Sequence, residues 1–133
     1  MNLLRAHCVS KDELDAFLNN NNQLDKKYLL RDGYVVEING CIEGCFIIQP
    51  IENNFFWLKS LYISQSKVNF LPLLFEAILA LVKEKRAKKL FVHSHQPMVD
   101  KILEALRFTP QRESGFANDY VNRHGQWWSY NVS

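Results

Sequence analysis

The segment that most constrains the fold is residues 34–64, because its pattern predicts three consecutive strands joined by short turns. Asn39-Gly40 is the residue pair most typical of a two-residue hairpin, so residues 34–38 and 41–48 should pair as antiparallel strands. Residues 55–64 add a third strand after a turn. Its two faces are both largely apolar, which predicts that the strand is covered on both sides.

A strand and two short helices are predicted before this meander. Residues 3–9 form the strand. Ser10 and Glu13 have the spacing of a capping box and begin a helix that ends near Leu18. Residues 23–31 add a short second helix.

After the meander, helices and strands alternate. Pro72 suits the first turn of a helix that ends near residue 86. This helix is apolar nearly all round, as expected for one packed deep against a sheet. The elements that follow are a strand, a helix and two final strands, at residues 89–95, 98–106, 108–112 and 126–132. An irregular segment, 113–125, separates the last two strands, and residues 1–133 form a single domain.

Composition and charge favour a soluble protein. The chain is 47% hydrophobic and 23% charged, and its formal net charge of +2 is too small to argue for a nucleic-acid or membrane partner. We expect no secretory signal, because no long apolar stretch follows residues 1–5. The longest apolar stretch, residues 70–82, is interrupted by Pro72 and Glu76 and is shorter than the ~18 residues of a membrane span.

Cysteine placement indicates the compartment. Cys8, Cys41 and Cys45 all lie in apolar stretches, so we expect buried free thiols in a reducing environment. Cys41 and Cys45 share one face of the predicted strand, about 13 Å apart, too far for a disulfide. A cytoplasmic location follows.

Two short stretches carry a resemblance to a known family. Leu61-Tyr62-Ile63 resembles the apolar end of the fourth strand of the GNAT-type N-acetyltransferases, and residues 102–108 (ILEALRF) resemble their closing LYEKLGF segment. The order of elements is also similar, over nearly the whole chain. The resemblance implies an α/β (α+β) fold with a mixed, mostly antiparallel, twisted sheet of six to seven strands and about four helices. It also implies acyl transfer from acetyl-CoA or another acyl-CoA to an amine.

The chain departs from the family at the loop that holds the cofactor. The family's Q/R-x-x-G-x-G/A turn presents backbone N–H groups to the pyrophosphate at a helix N-terminus. Residues 64–72 contain no glycine, Val68 lies where the family has Arg or Gln, and Pro72 removes one donor. We therefore expect acyl-CoA binding to be weak or absent, with Lys67 and the hydroxyls of Ser64 and Ser66 left to meet the phosphates.

The resemblance also implies roles for other positions. The backbone at Leu61 and Ile63 would hold the pantetheine arm, and Gln96 lies where the family often has a cofactor-binding Asn. Leu103 takes the place of the family's general acid, a Tyr, and cannot donate a proton. Lys59 and Ser60 occupy the neighbourhood of a frequent catalytic Glu.

The groups left for proton transfer are two imidazoles and a phenol. His93 and His95 alternate on the fifth strand, so both rings share a face about 7 Å apart. Either is suited to act as a general base near neutral pH, and Tyr62 is a nearby phenol. The alternative is a pair of partly buried histidines bonded to neighbouring strands or water. No third ligand is identifiable, so no metal site is predicted.

Two functions remain open. The first is an N-acyltransferase acting on an unidentified small amine or protein acceptor. The second is a catalytically inactive GNAT-fold module that binds a protein partner or another small ligand. The C-terminal aromatic strand, with Trp127, Trp128 and Tyr130, is expected to pack in the core or to form the edge of a homodimer. It lacks the interleaved basic residues of a nucleic-acid platform.

Overall fold

The computed structural model describes residues 1–21, 25–111 and 125–132. In this part of the chain the strands are β1 (Asn2–Arg5), β2 (Gly33–Ile38), β3 (Cys41–Ile51), β4 (Phe55–Ile63), β5 (Lys89–Ser94), β6 (Thr109–Gln111) and β7 (Gln126–Asn131). The α-helices are α1 (Lys11–Asn19), α2 (Lys26–Asp32), α3 (Leu71–Glu84) and α4 (Pro97–Ala105), and the 3-10 helices are Ala6–Cys8, Glu52–Asn54 and Gln65–Phe70.

The seven described strands form one sheet in the order β1-β2-β3-β4-β5-β7-β6. β4 and β5 are parallel, whereas β1 with β2, β2 with β3, β5 with β7 and β6 with β7 are antiparallel. This confirms the predicted mixed, mostly antiparallel sheet with four helices. β7 lies inside the sheet, so the edge at this end belongs to β6.

The chain divides into two compact units that interleave along the sequence. Unit 1 comprises Met1–Gln49 and Lys59–Leu71, and unit 2 comprises Pro50–Leu58 and Pro72–Ser133. Strand β4 contributes residues to both units. The single domain over residues 1–133 stays a prediction.

The core of unit 1 lies beneath α1 and α2. Its buried side chains come from the first 3-10 helix, from both helices and from β2 and β3: Ala6, Leu14, Phe17, Leu29, Val35, Cys45 and Ile47. The partly buried ring of Tyr62 packs against this cluster, with its centroid 5.9 Å from that of Phe17 in an edge-on arrangement. Each fully buried large side chain contributes about 1.5–3 kcal/mol.

The β2–β3 hairpin has the predicted turn but an unpredicted bulge. Asn39 and Gly40 have φ of 54° and 82°, the two positive values that a type I′ turn requires. Further along, Glu37 pairs with Ile42 but Val36 pairs with Gly44, so Glu43 is an extra residue on β3.

The bulge separates the two cysteines of β3. Cys41 pairs with Ile38 and Cys45 with Val35, and these partners are three residues apart. Cys41 and Cys45 therefore lie on opposite faces, and the prediction of a shared face is wrong. Cys41 is exposed and Cys45 is buried.

The first strand is shorter than predicted. β1 ends at Arg5 and a 3-10 helix follows, which turns Cys8 to the surface. All three cysteines are free, as expected, but the prediction that all are buried holds for Cys45 alone. Within the meander, β3 extends through Pro50 to Ile51, where a turn was predicted.

Helix α3 belongs to unit 2 from Pro72 onward, and it buries one face. Leu74, Phe75, Ile78 and Val82 are buried. Leu73 is 51% exposed, so the helix is packed less deeply than its apolar composition predicted. With the preceding 3-10 helix, Gln65–Glu84 is a 20-residue helical run, long and apolar enough to cross a membrane by length and composition only. One such run is weak evidence, because core helices pass the same test.

Candidate functional site

The candidate catalytic group of unit 2 lies at the C-terminal end of β5. The parallel ladder between β4 and β5 runs from Phe55–Lys89 to Leu58–Val92. On its other side β5 pairs with β7 two residues further, to Ser94–Gln126. The backbone at His93 is thus held in place by β7.

His93 is half-buried beside the indole ring of Trp127. Its ring centroid is 5.1 Å from that of Trp127, in an edge-on arrangement, and Trp127 is buried. Burial lowers the pKa of His93 below its ordinary value, and the charge of His95 lowers it further, while Asp100 acts in the opposite direction. The ring is therefore neutral at neutral pH and able to accept a proton.

His95 and Gln96 lie beyond the strand. β5 ends at Ser94, so the prediction that His95 lies on this strand is wrong, although its ring centroid is 6.4 Å from that of His93. His95 is exposed. Gln96 is the N-cap of α4, and its backbone N–H donates to the Ser94 hydroxyl at 3.3 Å.

Two residues at this site were missed by the sequence reasoning. Asp100, in the first turn of α4, accepts a hydrogen bond from the Trp128 indole N–H at 3.0 Å. Its charge partly offsets the lowering of the His93 pKa. Gly125 packs so closely that a Cβ there would lie 2.6 Å from the Ser94 carbonyl oxygen and 2.9 Å from His93 Cε1. The one sequence feature that could have indicated a role for Gly125 is its position immediately before the last strand.

The candidate site residues of unit 1 lie in the last positions of β4 and directly after the strand, with Tyr62 as the candidate phenol and the others as candidate cofactor-binding residues. Leu61, Tyr62 and Ile63 are all half-buried. Ser64 is held by the bulged residue of β3, because its N–H donates to the Glu43 carbonyl at 2.8 Å. The Ser64 hydroxyl lies 3.0 Å from both that carbonyl and the Glu43 carboxylate.

The glycine-free loop forms the 3-10 helix Gln65–Phe70. The Lys67 N–H donates to the Ser64 carbonyl at 2.8 Å, and the Leu71 N–H donates to the Val68 carbonyl. Leu71, which counting from Val68 puts at the family's first glycine, is buried with 4% exposure. These residues fit an acyl-CoA pyrophosphate in part: Lys67 supplies a cation, while several backbone donors are already bonded.

The predicted site residues thus fall into two groups, one in each unit. His93, His95 and Gln96 lie together in unit 2, whereas Leu61, Tyr62, Ile63, Ser64 and Lys67 are consecutive or nearly so in unit 1. Leu103, at the position of the family's acid, is fully buried. Within the described ranges, no three His, Cys, Asp or Glu side chains gather as ligands for a metal ion.

This architecture is the GNAT N-acetyltransferase fold. A GNAT-family acetyltransferase from Staphylococcus aureus Mu50 superimposes with a TM-score of 0.69 at 12% identity, over 99% of each chain. A Bacillus subtilis acetyltransferase in complex with CoA gives 0.69 at 13% identity, over 92% of this chain and 93% of that one.

A longer protein also contains the fold. N-acetylglutamate synthase from Neisseria gonorrhoeae, complexed with coenzyme A and N-acetylglutamate, gives a TM-score of 0.76 at 14% identity. That match covers 99% of this chain and 35% of the synthase. By sequence, neither a family model nor a curated protein matches the chain.

Proposed function

We propose that the protein is an N-acyltransferase that moves an acyl group from acyl-CoA to an unidentified amine, on a small molecule or a protein. The observation that carries the proposal is a half-buried imidazole, that of His93, with a lowered pKa at the C-terminal end of β5. The solved neighbours with the same fold are acetyltransferases, two of them bound to coenzyme A. The three free cysteines support a reducing compartment, and we place the protein in the cytoplasm.

In this proposal a histidine acts as the general base that accepts a proton from the acceptor amine. Acyl-CoA supplies an acyl group already activated as a thioester. A neutral His93 takes the proton that the amine loses as its nitrogen attacks, and the resulting imidazolium can return that proton to the leaving sulfur. His95 or a water molecule is the second candidate base. Since Leu103 offers no proton, much of the rate would come from holding the two reactants together, which can supply several kcal/mol.

Acyl-CoA binding should be weak for an electrostatic reason as well as for the missing glycines. The Glu43 carboxylate lies within hydrogen-bond distance of the Ser64 hydroxyl, so a negative charge stands where phosphate would have to approach. Lys67 is the opposing cation. The backbone of Leu61 and Ile63 would hold the pantetheine arm.

Calorimetric titration with acetyl-CoA tests the proposal. We expect weak but saturable heat, with Glu43→Gln tightening the affinity roughly two- to fivefold and Lys67→Gln weakening it by a similar factor. Glu43→Gln keeps the hydrogen bond to Ser64 and removes the charge. Glu52→Gln, at an exposed carboxylate of the turn before β4, is the matched control and should change nothing.

Turnover tests the role of His93. With a panel of amines and CoA thiol release as the readout, His93→Gln should lower turnover about 10²–10⁴-fold while leaving acetyl-CoA affinity unchanged. A thermal shift provides a second readout of acetyl-CoA binding, because a ligand at a hundred times its dissociation constant adds about 2.7 kcal/mol of stability.

The second candidate is a catalytically inactive binding module. The bonded N–H groups of Ser64, Lys67 and Leu71 favour it, because they leave fewer backbone donors for a pyrophosphate. Absence of both heat and thermal shift at millimolar acetyl-CoA would reject the acyltransferase and leave this module.

A further inference from the structure

Unit 1 contains a pocket that the proposed function does not use. It lies between the first 3-10 helix, α1 and α2, and its volume is about 380 Å³. Small-molecule sites in proteins commonly measure about 300–1,000 Å³, so this pocket is at the small end of that range. Its lining residues belong to residues 6–30 and include none of the groups at the end of β4.

The wall of the pocket is aliphatic. Ala6 and Leu14 are buried and belong to the core of unit 1, while Val9 and Leu30 are half-buried and pack against that core. These side chains offer no hydrogen bond to a polar ligand. An unbranched alkyl chain is the group that such a wall would take out of water.

Among the residues that the structure describes, no acidic side chain lines the pocket. Every ionisable residue that lines it is basic, namely His7, Lys11 and Lys26, and all three are exposed. Lys26 bonds to Asp15 at 2.6 Å, but an ammonium group has three donors, so this bond leaves two for a ligand. Exposed ion pairs contribute little to stability, so Asp15 does not prevent Lys26 from meeting an anion.

We propose that this pocket binds an alkyl chain of medium length with a single anionic head group. The chain lies along Ala6, Val9, Leu14 and Leu30, and the head group lies between Lys11 and Lys26. A fatty carboxylate is the probe of this chemistry. The small volume sets an upper limit on the length of the chain.

The test is a titration of the full chain with a series of straight-chain carboxylates from hexanoate to decanoate, followed by NMR of the methyl groups. We expect saturable binding of one ligand, with the dissociation constant falling about fourfold per added methylene until the chain outgrows the pocket. Methyl shifts should be confined to Ala6, Val9, Leu14, Leu30 and their neighbours. A dissociation constant independent of chain length, or shifts spread through the core of unit 2, would overturn the proposal.

Head-group charge is tested separately. Decylammonium should bind at least about fivefold more weakly than decanoate, and Lys11→Gln combined with Lys26→Gln should remove most of that preference. Lys27→Gln, an exposed lysine of α2 that does not line the pocket, is the control and should keep it. Equal binding of the two ligands to the unmodified protein rejects the anion site. Competition between decanoate and excess acetyl-CoA also rejects it, because the decanoate would then occupy the site proposed for acyl-CoA.

Discussion

At the scale of single residues, three effects that differ in sign act on the pKa of His93. Burial disfavours the charged imidazole and is the largest, and a positive charge on His95 acts in the same direction. The carboxylate of Asp100 acts against both. Asp100 is also held by the Trp128 indole, so its position relative to the strand is fixed by a contact that does not involve the imidazole.

Substitution of the two charged neighbours should move the pKa of His93 in opposite directions. Asp100→Asn removes the stabilising charge but keeps an oxygen for Trp128, so the pKa should fall further. His95→Gln removes a repelling charge, so the pKa should rise. The measurement is an NMR titration of the imidazole signals, with His7, an exposed histidine of unit 1, as the control that should not change. Movement of the His93 pKa in the same direction in both variants would contradict this account.

The same shift gives the sign of the contribution that His93 makes to the pH dependence of stability. The pKa of His93 in the folded protein lies below its unfolded value of about 6.5. Its contribution to stability is therefore fully present above pH 6.5 and is lost as the pH falls from there through the folded pKa, because the unfolded chain then binds the extra proton.

The sequence could place His93 near the end of a strand but could not place its neighbours. Trp127 reaches the ring through the pairing of His93 with Trp127 across β5 and β7, and that register depends on residues far apart in the chain. The charge of Asp100 acts on the ring because α4 packs against β5. Local periodicity gives the position of a residue on its own element, whereas these contacts arise between elements.

At the scale of elements, the bulge in β3 shapes the end of β4 within unit 1. Glu43, the extra residue, accepts the Ser64 N–H and hydroxyl, and the adjacent Gly44 approaches the backbone of Tyr62. A Cβ at Gly44 would lie 2.4 Å from the Tyr62 carbonyl oxygen, a distance that no relaxed structure tolerates. The bulge and the glycine together allow the close approach of the two segments.

Gly44→Ala should therefore destabilise the protein by about 1–3 kcal/mol, as other substitutions that overfill a packed site do. The obstructing atom is backbone, so no side-chain rotation can relieve the contact. Urea denaturation gives the measurement. Cys41→Ala, at an exposed position on the same strand, should change stability by no more than about 0.5 kcal/mol. Equal stabilities of the two variants would show that the segments can separate without cost.

This bulge explains why one part of the meander was predicted and another was not. Asn39-Gly40 determines the turn locally, and the turn is as expected. The alternation of residues 41–48 looks regular in the sequence, yet the pairing with β2 skips Glu43. A bulge is set by the partner strand and by packing on both faces, so a single strand's pattern does not reveal it.

At the scale of the whole molecule, the order of elements carried most of the predictive information. The sequence of strands and helices was predictable because each apolar period is local, and the family resemblance supplied the way they assemble into a sheet. The sequence did not predict that Cys8 and Leu73 are exposed or that β5 ends before His95. These features depend on where the chain turns and on what covers each face. The predicted irregular segment 113–125 lies almost wholly outside the described residues.

The prediction of a single domain can be tested by unfolding the two units with separate probes. Cys45 lies in the core of unit 1, and burial raises the pKa of its thiol to about 12, so almost no reactive thiolate exists while that core is closed. All three tryptophans, Trp57, Trp127 and Trp128, belong to unit 2, so their fluorescence reports on that unit. A Cys8→Ser, Cys41→Ser variant removes the two exposed thiols and makes Cys45 the only labelled site.

We expect the urea midpoint for pulse labelling of Cys45 to coincide with the midpoint for tryptophan fluorescence. Residues 55–63 are one continuous strand that supplies both units, so neither unit can lose its part of β4 without disturbing the strand of the other. Coincident transitions are the expected behaviour of a cooperative domain of this size. Two separated midpoints would show that the units unfold independently, and the single-domain prediction would then be wrong.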